Sequence, residues 1–283
     1  MEQASLRLTT LTTEHRQHLA PMLHSLLTQV NNLLEQGRYS PPIGRRLHTL
    51  AASLSQATAW HRFDHGLYTD AGTYWTAGLR NAHHCDDRNM SAALLGDIAY
   101  QMAWQNNPRS ATRILKHALT KTDHPTAQSL LHLRLARALA AQGERSATLR
   151  ALSAAEHHLG TTSANPAPAW CAWMSQADLA VDSGQALLDL GDTRRAHQLI
   201  NEGQQLLPSS RNKTRAVFLA YQAKSHLDLR EPDSAAATAL EALTLSHHIG
   251  APRCVQLVRD LTPHFESHAK VPGVAEVLER TAT

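Results

Sequence analysis

The chain has 283 residues, of which 42% are hydrophobic and 18% are charged, and its net charge is +3 with histidine neutral. This composition is typical of a folded globular protein, and the charge is too small to indicate a nucleic-acid-binding surface by itself. The sequence contains no apolar run of about 18 residues, so no membrane span is predicted. The N-terminus does not have the pattern of a secretion signal.

Helical periodicity begins near the N-terminus. A leucine-rich run from Leu19 to Leu34 places apolar side chains at spacings of three and four, which predicts an amphipathic helix. We expect residues 1–42 to contain a helix that either caps the fold or packs against a second copy of the chain in a homodimer. Further helical runs follow between short Gly- and Pro-containing breaks, and no strand hairpin is indicated, so the predicted fold class is all-α.

Residues 43–250 contain five copies of one spacing. Each copy has a small residue, a turn residue seven positions later, a small residue five positions after the turn, and another small residue seven positions further on. The copies are Ala59, Gly66, Ala71, Gly78; Ala99, Asn106, Ala111, Ala118; Ala136, Gly143, Thr148, Ala155; Gly184, Gly191, Ala196, Gly203; and Ala223, Arg230, Ala235, Ala242. Three positions before the last small residue stand Trp75, Leu115, Leu152, Ile200 and, as an exception in size, Ala239.

This spacing has a steric meaning. Small residues on both helices of a pair allow their backbones to approach closely, and Gly or Asn at the turn accepts a left-handed conformation. The pattern is that of tetratricopeptide repeats, so we predict a tetratricopeptide-like solenoid of helical hairpins with about five repeats. Residues 251–283 are predicted to form C-terminal capping helices, and an irregular helical bundle is the alternative.

In such solenoids the first helix of each pair lines a concave groove. The positions one, four and five residues after the first small residue of each copy are expected to face this groove. Among them, the candidate ligand-binding residues are Trp60, Phe63, Asp64, Tyr100, Trp104, Arg137, Gln185, Asp189 and Lys224. Aromatic side chains beside cations suit an extended peptide or an amphipathic small molecule with an anionic group. The alternative is that Trp60 and Tyr100 pack against the N-terminal helices as part of the core.

Two histidine pairs have the spacing of helical zinc ligands. His61 and His65, like His264 and His268, are four residues apart, but neither pair has a third ligand nearby in the sequence, so we predict no metal site. Adjacent histidines also occur at 83–84, 157–158 and 247–248. Their position near helix ends predicts that they cap backbone carbonyls, and a pH-sensing role is the alternative.

The sequence contains no nucleophile elbow, phosphate-binding loop or dinucleotide fingerprint, so we predict no catalytic residues and no cofactor. The function that we expect is the binding of a peptide, a partner protein or a small signal in the groove. A small-molecule enzyme or carrier of secondary metabolism on the same scaffold remains the alternative.

Part of the chain resembles a narrower family, the actinobacterial Xre-like transcriptional regulators. Their effector region has a leucine-rich helix, a Tyr-Ser turn, an alanine-rich helix ending in Trp-x-x-x-Asp-x-Gly, and a further helix. The same order occurs here as LLEQGRYSPPIGRRLHTLAASLSQATAWHRFDHG followed by AGTYWTAGLRNA. The later segments WCAWMSQADLAVDSGQALLDLGDTRRA and KSHLDLREPDSAAATALEAL continue the likeness, which covers roughly residues 19–262.

The resemblance implies a cytoplasmic, helical-repeat sensor or interaction module, and it favours a homodimer because these regulators usually act as dimers. The family's helix-turn-helix head of about 60 residues has no counterpart before the leucine-rich run. We therefore expect the effector half of such a regulator, without membrane association and without specific DNA binding of its own.

Overall fold

The structure is a computed structural model that describes residues 20–282. The predicted start of the first helix at Leu19 lies outside the described residues. Within them, all regular secondary structure is helical, and none of the helices is long and apolar enough to span a bilayer. The helices are α1 (Ala20–Gln36), α2 (Pro41–Asp64), α3 (Tyr68–His84), α4 (Arg88–Trp104), α5 (Pro108–Leu119), α6 (Pro125–Ala140), α7 (Arg145–Leu159), α8 (Gln176–Asp189), α9 (Thr193–Leu206), α10 (Asn212–Asp228), α11 (Pro232–His248), α12 (Pro252–Arg259), α13 (Thr262–Glu266) and α14 (Val274–Ala282).

The described chain forms two compact units. Unit 1 comprises residues 20–142 and 149–174, and unit 2 comprises residues 143–148 and 175–282. In each unit, helices that follow one another in the chain pack as adjacent pairs, such as α2 with α3 and α4 with α5 in unit 1, or α8 with α9 and α10 with α11 in unit 2. The all-α prediction is confirmed, as is the pairing of successive helices.

The predicted turn residues all have left-handed backbone conformations. Their φ angles are 76° at Gly66, 58° at Asn106, 74° at Gly143, 77° at Gly191 and 64° at Arg230. Glycine adopts this conformation at little steric cost, and asparagine is the next most tolerant residue. Arg230 adopts it with a full side chain, so the hairpin between α10 and α11 holds its backbone there against the intrinsic preference.

The predicted small residues are all buried, and their size is what allows the helices to approach. At Gly203 in α9, a Cβ atom would overlap the Val181 side chain and lie 2.8 Å from the carbonyl oxygen of Ala177. At Gly184 in α8, it would lie 2.7 Å from Ile200 and 2.8 Å from the carbonyl oxygen of Ala196. Helices α8 and α9 therefore meet backbone to backbone.

The first helices of successive pairs also contact one another. In unit 1, α4 touches both α2 and α6, and in unit 2, α8 touches α10. These contacts give unit 1 a surface built from three first helices, which is where the sequence places most of the predicted groove residues.

Helix α1 packs against α2 through its buried residues Leu23, Leu27 and Val30, and it leaves Met22 and Leu33 exposed. The choice between a capping and a dimerisation role for residues 1–42 stays a prediction. In unit 2, α12 and α14 pack against α11 and share one apolar core with the α10–α11 pair.

We expect Gly203→Ala to destabilise the protein by about 1–3 kcal/mol, because the added methyl group must displace the backbone of α8. The measurement is the free energy of unfolding in urea. The matched control is Gly72→Ala, where a Cβ would lie at an ordinary 3.5 Å from Gln101. Alanine should leave stability unchanged there or raise it by up to about 1 kcal/mol through helix propensity. Equal stability of both variants would show that α8 and α9 are not in close backbone contact.

Candidate functional site

An aromatic cluster occupies the junction of α2, α3 and α4 in unit 1. Phe63 and Trp75 are fully buried at its centre, whereas Trp60, Tyr100 and Trp104 are half-buried around them. The ring centroid of Phe63 lies 5.7 Å from that of Trp104, and the ring centroid of Trp60 lies 5.5 Å from that of Tyr100. At these separations and tilts the rings attract one another beyond their area of burial, so the cluster is a well-packed core with a partly exposed edge.

A buried carboxylate lies next to this cluster. Asp97 in α4 is 2% exposed and accepts three hydrogen bonds. The donors are Nε2 of Gln56 at 2.7 Å, Nε1 of Trp60 at 3.0 Å and Nη1 of Arg134 at 2.9 Å. Gln56 and Trp60 belong to α2 and Arg134 belongs to α6, so one side chain links three first helices.

Arg134 also packs over two rings of the aromatic cluster. Its guanidinium carbon lies 5.9 Å from the centroid of the Trp60 ring and 5.4 Å from that of Tyr100, within the range of cation–π attraction. Burial raises the pKa of Asp97, and the Arg134 charge together with the three hydrogen bonds opposes that rise. The cation therefore compensates a carboxylate that water does not reach.

The structure divides the nine predicted groove residues between the two units. Six of them lie in unit 1: Trp60, Phe63, Asp64, Tyr100, Trp104 and Arg137. Within this group Phe63 and Asp64 are buried, and the indole Nε1 of Trp104 donates to the Tyr68 hydroxyl at 3.0 Å. Arg137 is half-buried and follows Arg134 by three residues, on the same side of α6.

The other three predicted residues lie in unit 2 and make local contacts. Gln185 is buried and donates to the exposed Asp189 at 3.0 Å. Lys224 forms an ion pair with Asp228 at 2.8 Å, one helical turn away. Whether the predicted set binds a ligand stays a prediction, but the aromatic members are brought together and the three residues of unit 2 are engaged within their own helices.

Sequence reasoning missed the two residues at the centre of the site, Asp97 and Arg134. Asp97 stands two positions before Ala99, in a stretch of α4 (residues 90–99) that is otherwise made of small and apolar residues, and an acid in such a stretch is a usable signal for a buried ion pair. Arg134 gives no such signal, because α6 is already predicted to present Arg137.

The histidine pairs lie where the sequence predicts, near helix ends. At the end of α3, His84 lies 2.8 Å from the carbonyl oxygen of Arg80 through Nδ1, which confirms the capping role there. The rings of His61 and His65 are 4.2 Å apart, and Nδ1 of His65 contacts the carbonyl oxygen of His61 at 2.8 Å. Between residues 20 and 282, no three or more His, Cys, Asp or Glu side chains are grouped so that they could hold a metal ion.

A second histidine contact lies between α6 and α7. The rings of His132 and His158 stack with centroids 5.5 Å apart and planes inclined by 10°. Burial lowers the pKa of His132, and the neighbouring His158 lowers it further. Burial and the adjacent His157 lower the pKa of His158 in the same way. Both imidazoles therefore resist protonation in the folded protein.

No family model matches the chain. A search of curated proteins likewise finds no significant match.

We expect Arg134→Met to lower the free energy of unfolding by about 3 kcal/mol at pH 7, because it leaves Asp97 buried without its counter-ion. Since the pKa of Asp97 is raised in the folded protein, there is a pH range above about 4 in which the native state still holds a proton that the unfolded chain has lost. Stability then falls as pH rises above about 4, and it should fall more steeply in the variant than in the wild type. Urea unfolding at a series of pH values measures this slope.

The matched control is the double variant Asp97→Asn/Arg134→Met, which removes the titrating group. Its extra pH slope should disappear, and part of the lost stability should return. A single variant with the slope of the wild type would mean that Asp97 is not held away from water.

The lowered pKa values of His132 and His158 predict a loss of stability in acid. Below about pH 6.5 the unfolded chain binds protons that the folded protein does not, so the urea midpoint should fall as pH decreases. His132→Gln should reduce this acid-side loss, because it removes one imidazole of the stacked pair. His83→Gln changes an exposed histidine and should keep the wild-type profile. Identical profiles for all three proteins would contradict the assignment.

Proposed function

We propose that the helix pairs are tetratricopeptide-like repeats and that the chain is a cytoplasmic binding module related to the effector half of actinobacterial Xre-like regulators. Three findings support the repeat assignment: the left-handed turns at the predicted positions, the buried small residues, and the contacts between successive first helices. Repeats of this kind present their first helices as a binding surface.

One surface of unit 1 best supports the binding role. It consists of Trp60, Tyr100, Trp104, Arg134 and Arg137, and we call it the first-helix face. Its members come from α2, α4 and α6, so it crosses three helices. Trp60, Tyr100 and Trp104 are held in place by hydrogen bonds and ring contacts before any partner arrives. Rigid aromatic side chains of this kind lose little entropy on binding.

The chemistry of the first-helix face favours a peptide or partner-protein segment that carries an acidic side chain beside an apolar one. Trp60, Tyr100 and Trp104 offer partly exposed aromatic edges, and Trp and Arg are the residue types that most often dominate binding energies. Arg134 is committed to Asp97, with only 10% of its side chain exposed. Arg137, half-buried beside it, is the cation that we assign to the acidic group of the partner.

The test is selection of peptides from a random displayed library on the purified full chain, followed by affinity measurement with the synthetic peptides. We expect the selected peptides to combine acidic and apolar residues. The Trp104→Ala/Arg137→Ala double variant should weaken binding by more than about 2 kcal/mol. The matched control is Arg113→Ala, which removes an exposed arginine from α5, a second helix.

Circular dichroism and the urea midpoint establish that the double variant is folded. Undiminished affinity of a folded double variant would overturn the assignment of the first-helix face. Arg137→Lys gives a finer test, because it keeps the charge but loses the paired hydrogen bonds of a guanidinium to a carboxylate. It should therefore fall between the wild type and Arg137→Ala.

A further inference from the structure

A chain of polar side chains joins α9 to α10 in unit 2, at the contact between two successive helix pairs. His197 of α9 is at its centre, because both of its ring nitrogens have partners. Nδ1 lies 2.8 Å from Oγ of Ser225 in α10, and Nε2 lies 2.8 Å from Nδ2 of Asn201, one turn later in α9. Ser225 is fully buried and His197 is half-buried, so these contacts lie largely out of water.

The neighbours of His197 determine its protonation state. Nε2 of Gln222 donates to Oδ1 of Asn201 at 2.6 Å, so the amide nitrogen of Asn201 faces the ring and donates to Nε2. Gln222 is itself oriented by Gln204, whose Nε2 donates to Oε1 of Gln222 at 3.3 Å. The hydroxyl group of Ser225 donates to the backbone carbonyl oxygen of Gln222 at 2.7 Å, so Oγ accepts from Nδ1. Both sets of bonds place the hydrogen on Nδ1 and a lone pair on Nε2, which makes His197 a neutral imidazole.

A second histidine makes a proton on His197 unfavourable. The ring of His226 in α10 lies 4.6 Å from that of His197, centroid to centroid, and its Nδ1 lies 2.7 Å from Oε2 of Glu231. Burial lowers the pKa of His197, His226 lowers it further, and Glu231 opposes that decrease. The geometry and the local charges therefore favour the same neutral form.

Nearby charged groups on α9 and α10 are exposed or already paired. On α9, Arg194 lies one turn before His197 and is exposed. On α10, Lys224 forms an ion pair with Asp228 at 2.8 Å. The residues of α8 that face α9 are uncharged, namely Ala177, Val181 and Gly184. The charge at His197 is therefore set by its direct neighbours.

Protonation of His197 would place a second N–H where Asn201 now donates. Two donors would then face each other across 2.8 Å, and a positive charge would lie beside His226 in a half-buried contact. Both effects favour a state in which α9 and α10 have moved apart and water reaches the ring. We propose that this network is a proton-sensitive contact, which holds the α8–α9 and α10–α11 pairs together near pH 7 and loosens them as pH falls below about 6.

Nuclear magnetic resonance of the imidazole nitrogens in the full chain tests the protonation state. We expect His197 at pH 7.5 to be neutral with its hydrogen on Nδ1, and the His197→Gln variant identifies its signals by their loss. A hydrogen on Nε2, or a charged ring at this pH, would contradict the proposal.

Hydrogen exchange measures the contact itself. With an ordinary pKa near 6.5 in the open state and a lower one in the closed state, uptake of one proton favours opening by up to about tenfold at pH 5.5. We therefore expect amides of α9 and α10 to exchange about three- to tenfold faster at pH 5.5 than at pH 7.5, after correction for the intrinsic pH dependence of exchange. His197→Gln should remove this acid response. His247→Gln, which changes an exposed histidine of α11, should keep it.

Asn201→Asp provides a test by change of sign. A carboxylate at this position accepts from Gln222 and also from a protonated His197, so the charged ring becomes the favoured form. The amides of α9 and α10 should then exchange more slowly at pH 5.5 than at pH 7.5. His132→Gln, in unit 1, should leave the exchange of these helices unaffected. An unchanged acid response in folded Asn201→Asp, or one that persists in His197→Gln, would overturn the proposal. All residues of the network lie in unit 2, so the result is independent of the first-helix face.

Discussion

The arrangement of unit 1 depends on the hydrogen bonds that the buried Asp97 carboxylate accepts. A charge removed from water must be matched by nearby donors, and the donors come from α2 on one side and α6 on the other. The pairing therefore sets the register of three helices against one another. It also fixes the Trp60 ring, and through that ring the partly exposed edge of the aromatic cluster.

Unit 2 contains a comparable buried ion pair. Asp178 at the start of α8 is buried and accepts two hydrogen bonds from Arg211, at 2.8 and 2.9 Å, while it also caps its own helix with Ser175. Contacts among alanine, glycine and leucine side chains hold a helix pair together but discriminate poorly between one alignment and the next. A directional ion pair discriminates well, and in each unit it joins residues more than 30 positions apart in the chain.

The parts of the fold that the sequence predicts are those decided locally. A left-handed turn at Gly66 or Asn106 follows from backbone sterics, and burial of Gly203 follows from the space between two adjacent helices. The site depends on neighbours that periodicity cannot assign. Phe63 and Trp104 are both predicted groove residues, yet the rings around Phe63 bury it completely and leave Trp104 half-buried. The orientation of Trp60 is likewise decided by Asp97, a residue 37 positions away.

The close contact of α8 and α9 has a consequence for how ancestry can be recognised. Where a methyl group would collide with a backbone oxygen, as at Gly184 and Gly203, glycine is required. Almost all of the other buried small positions hold alanine or threonine. Unrelated chains that meet the same steric demand would converge on the same few residue types. Agreement at such positions therefore identifies a shape and says little about descent. Common origin would be indicated instead by sets of polar residues that bond to one another, such as Gln56, Asp97 and Arg134, because steric demands alone do not require them.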